Sequence, residues 1–269
     1  YGLPRTLLEA LLQGFAWDAQ ARHYKDLASV YGYAVRVAGS VGVMMALLMR
    51  VRDPLLLARA ADLGVAMQLT NIARDVGEDA RAGRVYLPQR WLRDEGLSQA
   101  ALINDPVFTP QLARVVTRLL NVADCLYERA DAGIAGLPAR CRPGIYAARL
   151  LYSGIGHELM DRGCDSVSQR TVLPFRRKFV RAAQALGQPP SAPDLLNTEA
   201  LPQVRYLIRA VDGIDFDPGE ADFRKPVGDL EWVLELFAEL DRRDRDMHTA
   251  TAASPPPTAD QIWADAQSA

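Results

Sequence analysis

The sequence has little cysteine, little histidine and no long apolar run. Its three cysteines, Cys125, Cys141 and Cys164, are 16 and 23 positions apart in a chain of 269 residues. This spacing matches no zinc pattern, and an odd, unpatterned set of cysteines is typical of a reducing compartment. The most apolar stretch, residues 35–49, contains Arg36, two glycines and a serine, which argues against a membrane-spanning helix. A glycine-rich dinucleotide motif is also lacking.

Acidic and basic residues nearly balance, at a net charge of −2, but they are unevenly distributed. Residues 1–211 hold 26 basic and 19 acidic side chains, whereas residues 212–246 hold 5 basic and 12 acidic ones. A basic main body suits an anionic small substrate or an anionic membrane surface. The basic residues are scattered with few aromatic residues between them, which argues against nucleic acid as a partner. No feature identifies a protein partner.

Helix-forming residues dominate the first 187 positions, and strand-type alternation is scarce. Prolines fall near the expected helix starts, where a missing N–H group costs nothing. We expect helices at residues 4–17, 24–50, 54–76, 88–95, 109–134, 142–162 and 173–187. These helices predict an all-α bundle over residues 1–187.

The rest of the chain differs in composition from the predicted bundle. The sequence QPPSAPD at 188–194 is typical of a linker. Two shorter helices are expected at 201–211 and 227–246, so that residues 188–246 form a linker with C-terminal helices. Residues 247–269 are rich in Ala, Thr, Ser and Pro and are expected to be a disordered tail.

The segment Gly64–Pro88 carries polar residues on an otherwise apolar helix. At 100° per residue, Gln68, Asn71, Asp75 and Asp79 fall within one sector of about 80°. Asp75 and Asp79 could offer carboxylate oxygens, and Asn71 a neutral oxygen, to a hard cation such as Mg²⁺. The alternative is a solvated face whose aspartates pair with nearby arginines.

Three arginines follow the same polar stripe closely in sequence. They are Arg74, Arg81 and Arg84. Guanidinium groups at these positions could neutralise a diphosphate leaving group. In the alternative, the two aspartates pair with Arg81, Arg84 or another helix.

Two further segments have both a functional and a purely structural interpretation. In 27–49, Gly39 and Gly42 let a neighbour approach closely, so this helix is either an apolar tunnel wall with Tyr33 at its polar mouth or plain core packing. In 152–178, Tyr152 lies on a helix before a group of basic residues. That group comprises Arg170, Arg176, Arg177 and Lys178, and it is a phosphate site, a contact for acidic lipids or a solvated basic face.

Together these segments resemble the squalene/phytoene synthase family. The resemblance rests on Tyr33 with VAGSVG at 37–42, on QLTNIARDVGEDARAGRVYLP at 68–88 and on the segment 152–178. It implies a single isoprenoid-synthase-type helical bundle around a central cavity. It also implies head-to-head joining of two prenyl diphosphates, and the sequences RVYLP and CDSVSQR are most similar to bacterial phytoene-forming members.

The resemblance assigns roles residue by residue. DVGED, Asp75 to Asp79, matches the second of the family's two aspartate-rich, magnesium-binding motifs, and Asn71 matches its accompanying ligand. Tyr33 matches a tyrosine near the reacting carbons, which makes Tyr33, Asp75 and Asp79 the expected catalytic residues. The expected substrate-binding residues are Val37, Gly42, Gln68, Asn71, Arg74, Arg84, Tyr152 and Arg170.

The first aspartate-rich motif of the family should lie well upstream of Tyr33, and nothing in the chain matches it. Asp18 in GFAWDAQ matches a different family position. We expect a further segment before Tyr1, because residues 3–17 already have helix-like sequence. The alternative is a relative that has lost catalysis.

The expected activity is the condensation of two geranylgeranyl diphosphates to phytoene through a cyclopropylcarbinyl diphosphate. Mg²⁺ is the expected cofactor, with Mn²⁺ as a substitute, and no NADPH is expected. The expected location is the cytoplasm, with peripheral contact to the inner membrane face. The alternatives are a farnesyl-using squalene or dehydrosqualene synthase, a non-catalytic assembly protein and a lipid-binding scaffold.

Overall fold

A computed structural model describes residues 2–187 and 192–212. All regular structure in these two ranges is helical, which confirms the all-α prediction. The elements are α1 (Arg5–Ala19), α2 (Leu27–Ala34), a π-helical turn (Val35–Gly39), α3 (Ser40–Leu48), α4 (Pro54–Arg74), α5 (Val76–Arg81), α6 (Gln89–Asp94), α7 (Gln99–Asn104), α8 (Pro110–Ala135), α9 (Arg142–Asp161), α10 (Phe175–Gln184), α11 (Pro193–Leu196) and α12 (Arg205–Arg209).

Helices α4 and α8 pack along each other and form the centre of the bundle. Both begin with a proline at the first helical position after a capping side chain, as their sequences predict. Asp53 accepts hydrogen bonds from the backbone N–H groups of Leu55 and Leu56, and Thr109 accepts one from Leu112. The other central helices, α3 and α9, pack on α4 and with it surround the pocket described below.

The glycines of α3 and α4 let these two helices approach closely. A Cβ atom on Gly42 would lie 2.2 Å from the carbonyl oxygen of Ala60, and one on Gly64 would lie 2.3 Å from that of Ala38. By length and hydropathy alone Leu27–Leu48 could cross a membrane, but 56% of its most apolar window is buried within the protein. This packing identifies the segment as a core helix of the bundle.

The helix expected over 24–50 is divided into three segments by a π-helical turn. Helix α2 begins at Leu27 after the Asp26 cap, and a π-helical turn separates it from α3. The π-helical turn widens the helix at the point where Gly14 of α1 packs on it. This contact is close, since a Cβ atom on Gly14 would lie 2.4 Å from Val37 Cγ1. Turns of this kind are often found at functional sites.

The predicted helix over 54–76 is also interrupted, and this changes the geometry of the polar stripe. Helix α4 ends at Arg74, Asp75 has φ −103° and ψ 16°, and α5 starts at Val76. The N–H group of Gly77 donates to the carbonyl oxygen of Ser166 instead of to a helical partner. A Cβ atom on Gly77 would lie 2.7 Å from Val167 Cα, so the crossing segment requires glycine here. The polar stripe is therefore bent at Asp75, although the N–H group of Asp75 still donates to the carbonyl oxygen of Asn71 and that of Asp79 to the carbonyl oxygen of Asp75.

Residues 193–209 pack on the bundle through buried arginines. The guanidinium of Arg59 donates to the carbonyl oxygens of Leu195, Leu196 and Thr198, and that of Arg129 donates to Glu199. The boundary after residue 187 stays a prediction. The expected helix at 201–211 is shorter, at Arg205–Arg209, and the segments 227–246 and 247–269 lie outside the described residues.

Candidate active site

An apolar pocket of about 330 Å³ lies between α3, α4, α8 and α9. Its polar lining residues are Gln68 and Asn71 near the end of α4, Tyr152 of α9, and Arg59 near the start of α4. The guanidinium of Arg59 is taken up by the carbonyl oxygens of residues 195–198. The contacts of Ala38 with Gly64 and of Gly42 with Ala60 make α3 antiparallel to α4. The pocket therefore runs from a polar end toward an apolar end near the start of α4. The apolar lining includes Val37, Gly42, Met45, Met49, Leu56, Leu63, Ile134 and Leu137.

Two buried polar atoms near the polar end have no hydrogen-bond partner within residues 2–187 and 192–212. They are Oδ1 of Asn71 and Nε of Arg84. A buried acceptor or donor without a partner is costly, so such atoms call for a ligand. An acceptor at Asn71 fits a cation, and a guanidinium N–H at Arg84 fits an anion.

The carboxylate of Asp75 accepts hydrogen bonds from two arginines, one adjacent in sequence and one far along the chain. Arg74 donates from Nε and Nη2 at 2.7 and 2.6 Å, and Arg170, 95 residues later, donates from Nε at 3.1 Å. Arg170 also lies 3.7 Å from Glu78. The alternative of arginine-paired aspartates thus holds for Asp75, but its partners are Arg74 and Arg170 rather than Arg81 or Arg84.

Asp79 has a different environment from Asp75. Its partial burial, the charge of Asp75 and, more weakly, those of Glu78 and Asp18 raise its pKa to about 7, and Arg84 acts in the opposite direction. The backbone N–H of Asp79 donates to the carbonyl oxygen of Asp75 at 2.8 Å, so the two residues are fixed within one turn. Desolvated neighbouring carboxylates are stabilised by a cation, which makes this turn a place for positive charge.

Three tyrosines stack beside this turn around a single carboxylate. The hydroxyls of Tyr33 and Tyr86 donate to the two oxygens of Asp18 at 3.1 and 2.8 Å. The Tyr33 ring centroid lies 5.0 Å from that of Tyr86 and 5.3 Å from that of Tyr24. Burial is the main cause that raises the pKa of all three phenols, and Asp18 adds to the rise in each. Tyr86 raises the pKa of Tyr24 and Tyr33 further, whereas the hydrogen bond with Tyr33 lowers that of Tyr86. The phenols are therefore neutral, and they keep their protons.

The structure brings most of the predicted site residues to the pocket and to the aspartate turn beside it. Val37, Gly42, Gln68, Asn71 and Tyr152 all line the pocket. Tyr33 lies one turn before Val37, and its hydrogen-bonded partner Asp18 acts electrostatically on Asp79. Arg74 and Arg170 meet at Asp75, and Arg84 contributes to the charge balance of Asp79.

Sequence reasoning missed the roles of Tyr24 and Tyr86 and gave none to Asp18. Tyr86 lies inside the recognised RVYLP sequence, which was the available signal. Tyr24 has no such signal, because its place depends on a contact between distant loops, in which the N–H of Gln89 donates to the Tyr24 carbonyl oxygen.

The residues present fit part of a hard-cation site. Asn71 supplies the orphaned acceptor, and Asp75 and Asp79 supply carboxylates within one turn. Among the described residues no three His, Cys, Asp or Glu side chains converge on one point. A cation at this turn would therefore need further oxygen ligands, such as water or diphosphate, as Mg²⁺ commonly takes.

Comparisons with known proteins identify the family of this chain. The family model described as squalene/phytoene synthase matches residues 1–177. A phytoene synthase of Cereibacter sphaeroides is 46% identical over 252 residues, which is 92% of this chain and 68% of that protein. A phytoene synthase of Rhodobacter capsulatus is 45% identical over 253 residues, which is 92% of this chain and 72% of that protein.

A solved structure shares the fold. It is a dehydrosqualene synthase, 28% identical, with a TM-score of 0.61 over 67% of this chain and 64% of that one. The pocket, the aspartate turn and these similarities agree with one another. The chain belongs to the squalene/phytoene synthase family.

Proposed function

We propose that this protein condenses two geranylgeranyl diphosphates head to head into phytoene, through a cyclopropylcarbinyl diphosphate, as an early step of carotenoid biosynthesis. Two relatives at 46% and 45% identity over most of the chain are named phytoene synthase. The observation that carries the proposal is the apolar pocket with Gln68, Asn71 and Tyr152 at its polar end. Such a pocket suits a long hydrocarbon that ends in a charged group.

The length of the pocket supports a twenty-carbon substrate. Asn71 and Leu56 both line it, and the 15 positions between them on α4 span about 22 Å. An extended carbon chain advances about 1.2 Å per bond, as in an extended polypeptide. A geranylgeranyl chain then needs about 18 Å and a farnesyl chain about 13 Å. The longer chain fits and uses most of the pocket.

The cofactor that we propose is Mg²⁺, with Mn²⁺ as a substitute, held by Asp75, Asp79 and Asn71. A bound divalent cation would neutralise the diphosphate and favour its departure. Arg84 has the unpaired Nε that a diphosphate oxygen would accept from. Arg74 and Arg170 now neutralise Asp75, and they are placed to bind the diphosphate when a cation takes over Asp75.

The pocket walls protect the cation that forms when diphosphate leaves. The second substrate's double bond attacks this allylic cation, and loss of a proton closes the cyclopropane. A second departure of diphosphate, rearrangement and a further proton loss give the central triene. The apolar lining excludes water that would quench these cations. Tyr33 holds its proton on Asp18, so its ring face and hydroxyl oxygen are what it offers to a cation.

No reductant is needed in this proposal, because phytoene forms by proton loss rather than by hydride transfer. A second candidate is a farnesyl-using squalene or dehydrosqualene synthase, which the structural similarity to a dehydrosqualene synthase favours. A non-catalytic relative remains the third interpretation.

We also propose that the protein works in the cytoplasm, in peripheral contact with the inner membrane face. Its substrate carries a long hydrocarbon chain and its product is a hydrocarbon, so both partition into lipid. Residues 1–211 also carry more basic than acidic side chains.

Substrate choice tests the proposal against its rivals. The protein, expressed from its complete reading frame, is given geranylgeranyl or farnesyl diphosphate with Mg²⁺, and kcat/KM is measured for each. We expect geranylgeranyl diphosphate to be preferred by at least about tenfold, since four to five buried methylene-sized groups differ. A preference for farnesyl diphosphate would support the second candidate, and turnover of neither would support the non-catalytic relative.

A further inference from the structure

Helix α10 presents an unusual concentration of exposed apolar side chains. Phe175 is 75% exposed and Phe179 is 58% exposed. Val172, Val180 and Leu186 nearby are also exposed. At 100° per residue Phe175, Phe179 and Val180 fall within one sector of about 140° on α10. A contiguous exposed apolar face of this kind marks a contact surface.

The side of α10 that borders this sector is fixed to the bundle. Ala182 is buried, and Leu173, just before the helix, packs on Gly154 of α9. Arg177 forms ion pairs with Glu158 at 2.5 Å and with Asp161 at 2.9 Å. The exposure of the two phenylalanines is therefore a consequence of how α10 is docked on α9.

The local sequence of this face carries charge of a single sign, although Glu158 and Asp161 of α9 pair with Arg177. Between residues 166 and 193 the sequence has no acidic residue and five basic ones, of which four are in α10. Arg176 lies inside the apolar sector, is exposed and forms no ion pair with any described residue. Phenylalanine beside arginine and lysine is the composition of helices that lie in the headgroup region of an anionic bilayer.

A second exposed apolar stripe lacks this charge and serves as a comparison. Leu8, Leu12 and Phe15 of α1 are 47%, 64% and 54% exposed. The basic residue of α1, Arg5, is paired with Glu9. Apolar exposure is thus present on both α1 and α10, and of these two helices α10 alone combines it with an exposed basic residue, Arg176, that has no ion pair with a described residue.

We propose that the face of α10 formed by Val172, Phe175, Arg176, Phe179, Val180 and Leu186 binds an anionic lipid surface, with the two phenylalanines inserted among the acyl chains. Positive charge draws the helix to anionic headgroups, and apolar burial holds it there. Arg170, which contacts Asp75, lies five residues before Phe175. The same contact therefore places the diphosphate end of the site near the lipid surface.

Vesicle binding tests this inference without any turnover. The protein is sedimented with vesicles of phosphatidylcholine alone or with phosphatidylglycerol added. We expect binding to the anionic vesicles, weakened by high salt, and little binding to the neutral ones. The double variant Phe175→Ser with Phe179→Ser should lose about tenfold or more of this binding, and Arg176→Gln a smaller part.

The matched control is Leu8→Ser with Leu12→Ser on α1, which should bind as the parent does. Equal loss in this control, or parent-like binding by the α10 double variant, would overturn the inference. The inference would also be overturned if the parent protein is a dimer that does not bind vesicles and the α10 double variant is a monomer. The face of α10 would then bind a second copy of the protein.

A second measurement covers a variant that folds poorly. In Phe179→Trp, brominated acyl chains should quench the added fluorescence, and in Leu12→Trp they should not. Equal quenching in both variants, or none in Phe179→Trp, contradicts insertion of α10. Activity on detergent-dispersed substrate should survive the α10 substitutions, so failure here is distinct from failure of the proposed reaction.

Discussion

Tyr33 donates a hydrogen bond to Asp18, 15 residues earlier in the chain, at 3.1 Å. The other oxygen of Asp18 accepts from Tyr86. One carboxylate from α1 therefore orients two stacked phenols beside the aspartate turn. This relationship explains why Tyr33 is neutral and fixed, and it assigns a positioning role to Asp18 and Tyr86.

Removing single atoms from this cluster separates the role of the phenol from that of the ring. Tyr33→Phe keeps the ring stack and removes the hydroxyl oxygen that we propose faces the cation, so kcat should fall about hundredfold. Tyr86→Phe leaves the Tyr33–Asp18 hydrogen bond intact and should cost kcat clearly less. Steady-state kcat and KM of both variants check this. An unchanged kcat in Tyr33→Phe would show that only the ring matters.

Asp18→Asn tests the carboxylate itself. The amide keeps one acceptor, so one of the two phenols loses its partner, and we expect a lower melting temperature and a lower kcat with KM little changed. The control is Gln13→Asn, at another position on α1, which should leave kcat unchanged. A rise in KM with kcat unchanged would instead place Asp18 in substrate binding.

Asp79 should make the metal-free protein less stable as the pH rises. Its pKa is raised from 3.8 to about 7, so between these values the folded state holds a proton that the unfolded chain has released. The free energy of unfolding therefore falls as the pH rises from about 4 to about 7, by at most about 4 kcal/mol for this group. With a chelator present, Asp79→Asn should melt above the parent at pH 8, and the gap should narrow toward pH 5.

The control for this experiment is Glu78→Gln, at an exposed carboxylate one residue away, which should change the melting temperature little. The same Asp79→Asn variant should have lost activity by several orders of magnitude. A variant that is both less stable at pH 8 and active would contradict the account of the aspartate turn.

Replacing two glycines by alanine should have opposite effects on stability, because only Gly42 lies where α3 and α4 approach closely. A Cβ atom on Gly42 would meet the Ala60 carbonyl oxygen at 2.2 Å, so Gly42→Ala forces the helices apart and should cost about 1–3 kcal/mol. In Gly32→Ala the nearest atoms are 3.9 Å away, and alanine favours the helix by about 0.5–1 kcal/mol. Chemical denaturation of both variants measures this difference. A neutral Gly42→Ala would mean that α3 and α4 are less closely packed.

A bulky side chain part-way along the pocket should shorten the accepted chain. Ala60 lines the pocket about 16 Å from Asn71 along α4, which leaves room for a farnesyl chain but not for a geranylgeranyl chain. We expect Ala60→Phe to lower kcat/KM for geranylgeranyl diphosphate at least about tenfold and to spare farnesyl diphosphate. Leu55→Phe, at an exposed position on the same helix, is the control. Equal losses for both substrates would contradict the proposed direction of the pocket.

Helices and pocket walls could be predicted from the sequence because they depend on local composition and periodicity. Proline and capping signals placed the starts of α4 and α8 correctly, and Val37, Gly42, Gln68 and Asn71 do face the pocket. The break at Asp75 could not be predicted, because it depends on a hydrogen bond from Gly77 to Ser166, 89 positions away. The Asp18 cluster was missed for the same reason, since its members meet only in the folded chain.

Product identification tests the central claim most directly. The protein, expressed from its complete reading frame, is incubated with geranylgeranyl diphosphate and Mg²⁺, with and without NADPH, and the hydrocarbons are identified by mass and absorption. The account predicts phytoene, a forty-carbon hydrocarbon with a central triene, in equal amounts with and without NADPH, and none from Asp79→Asn. A product that appears only with NADPH, or no hydrocarbon from the parent protein, would contradict it.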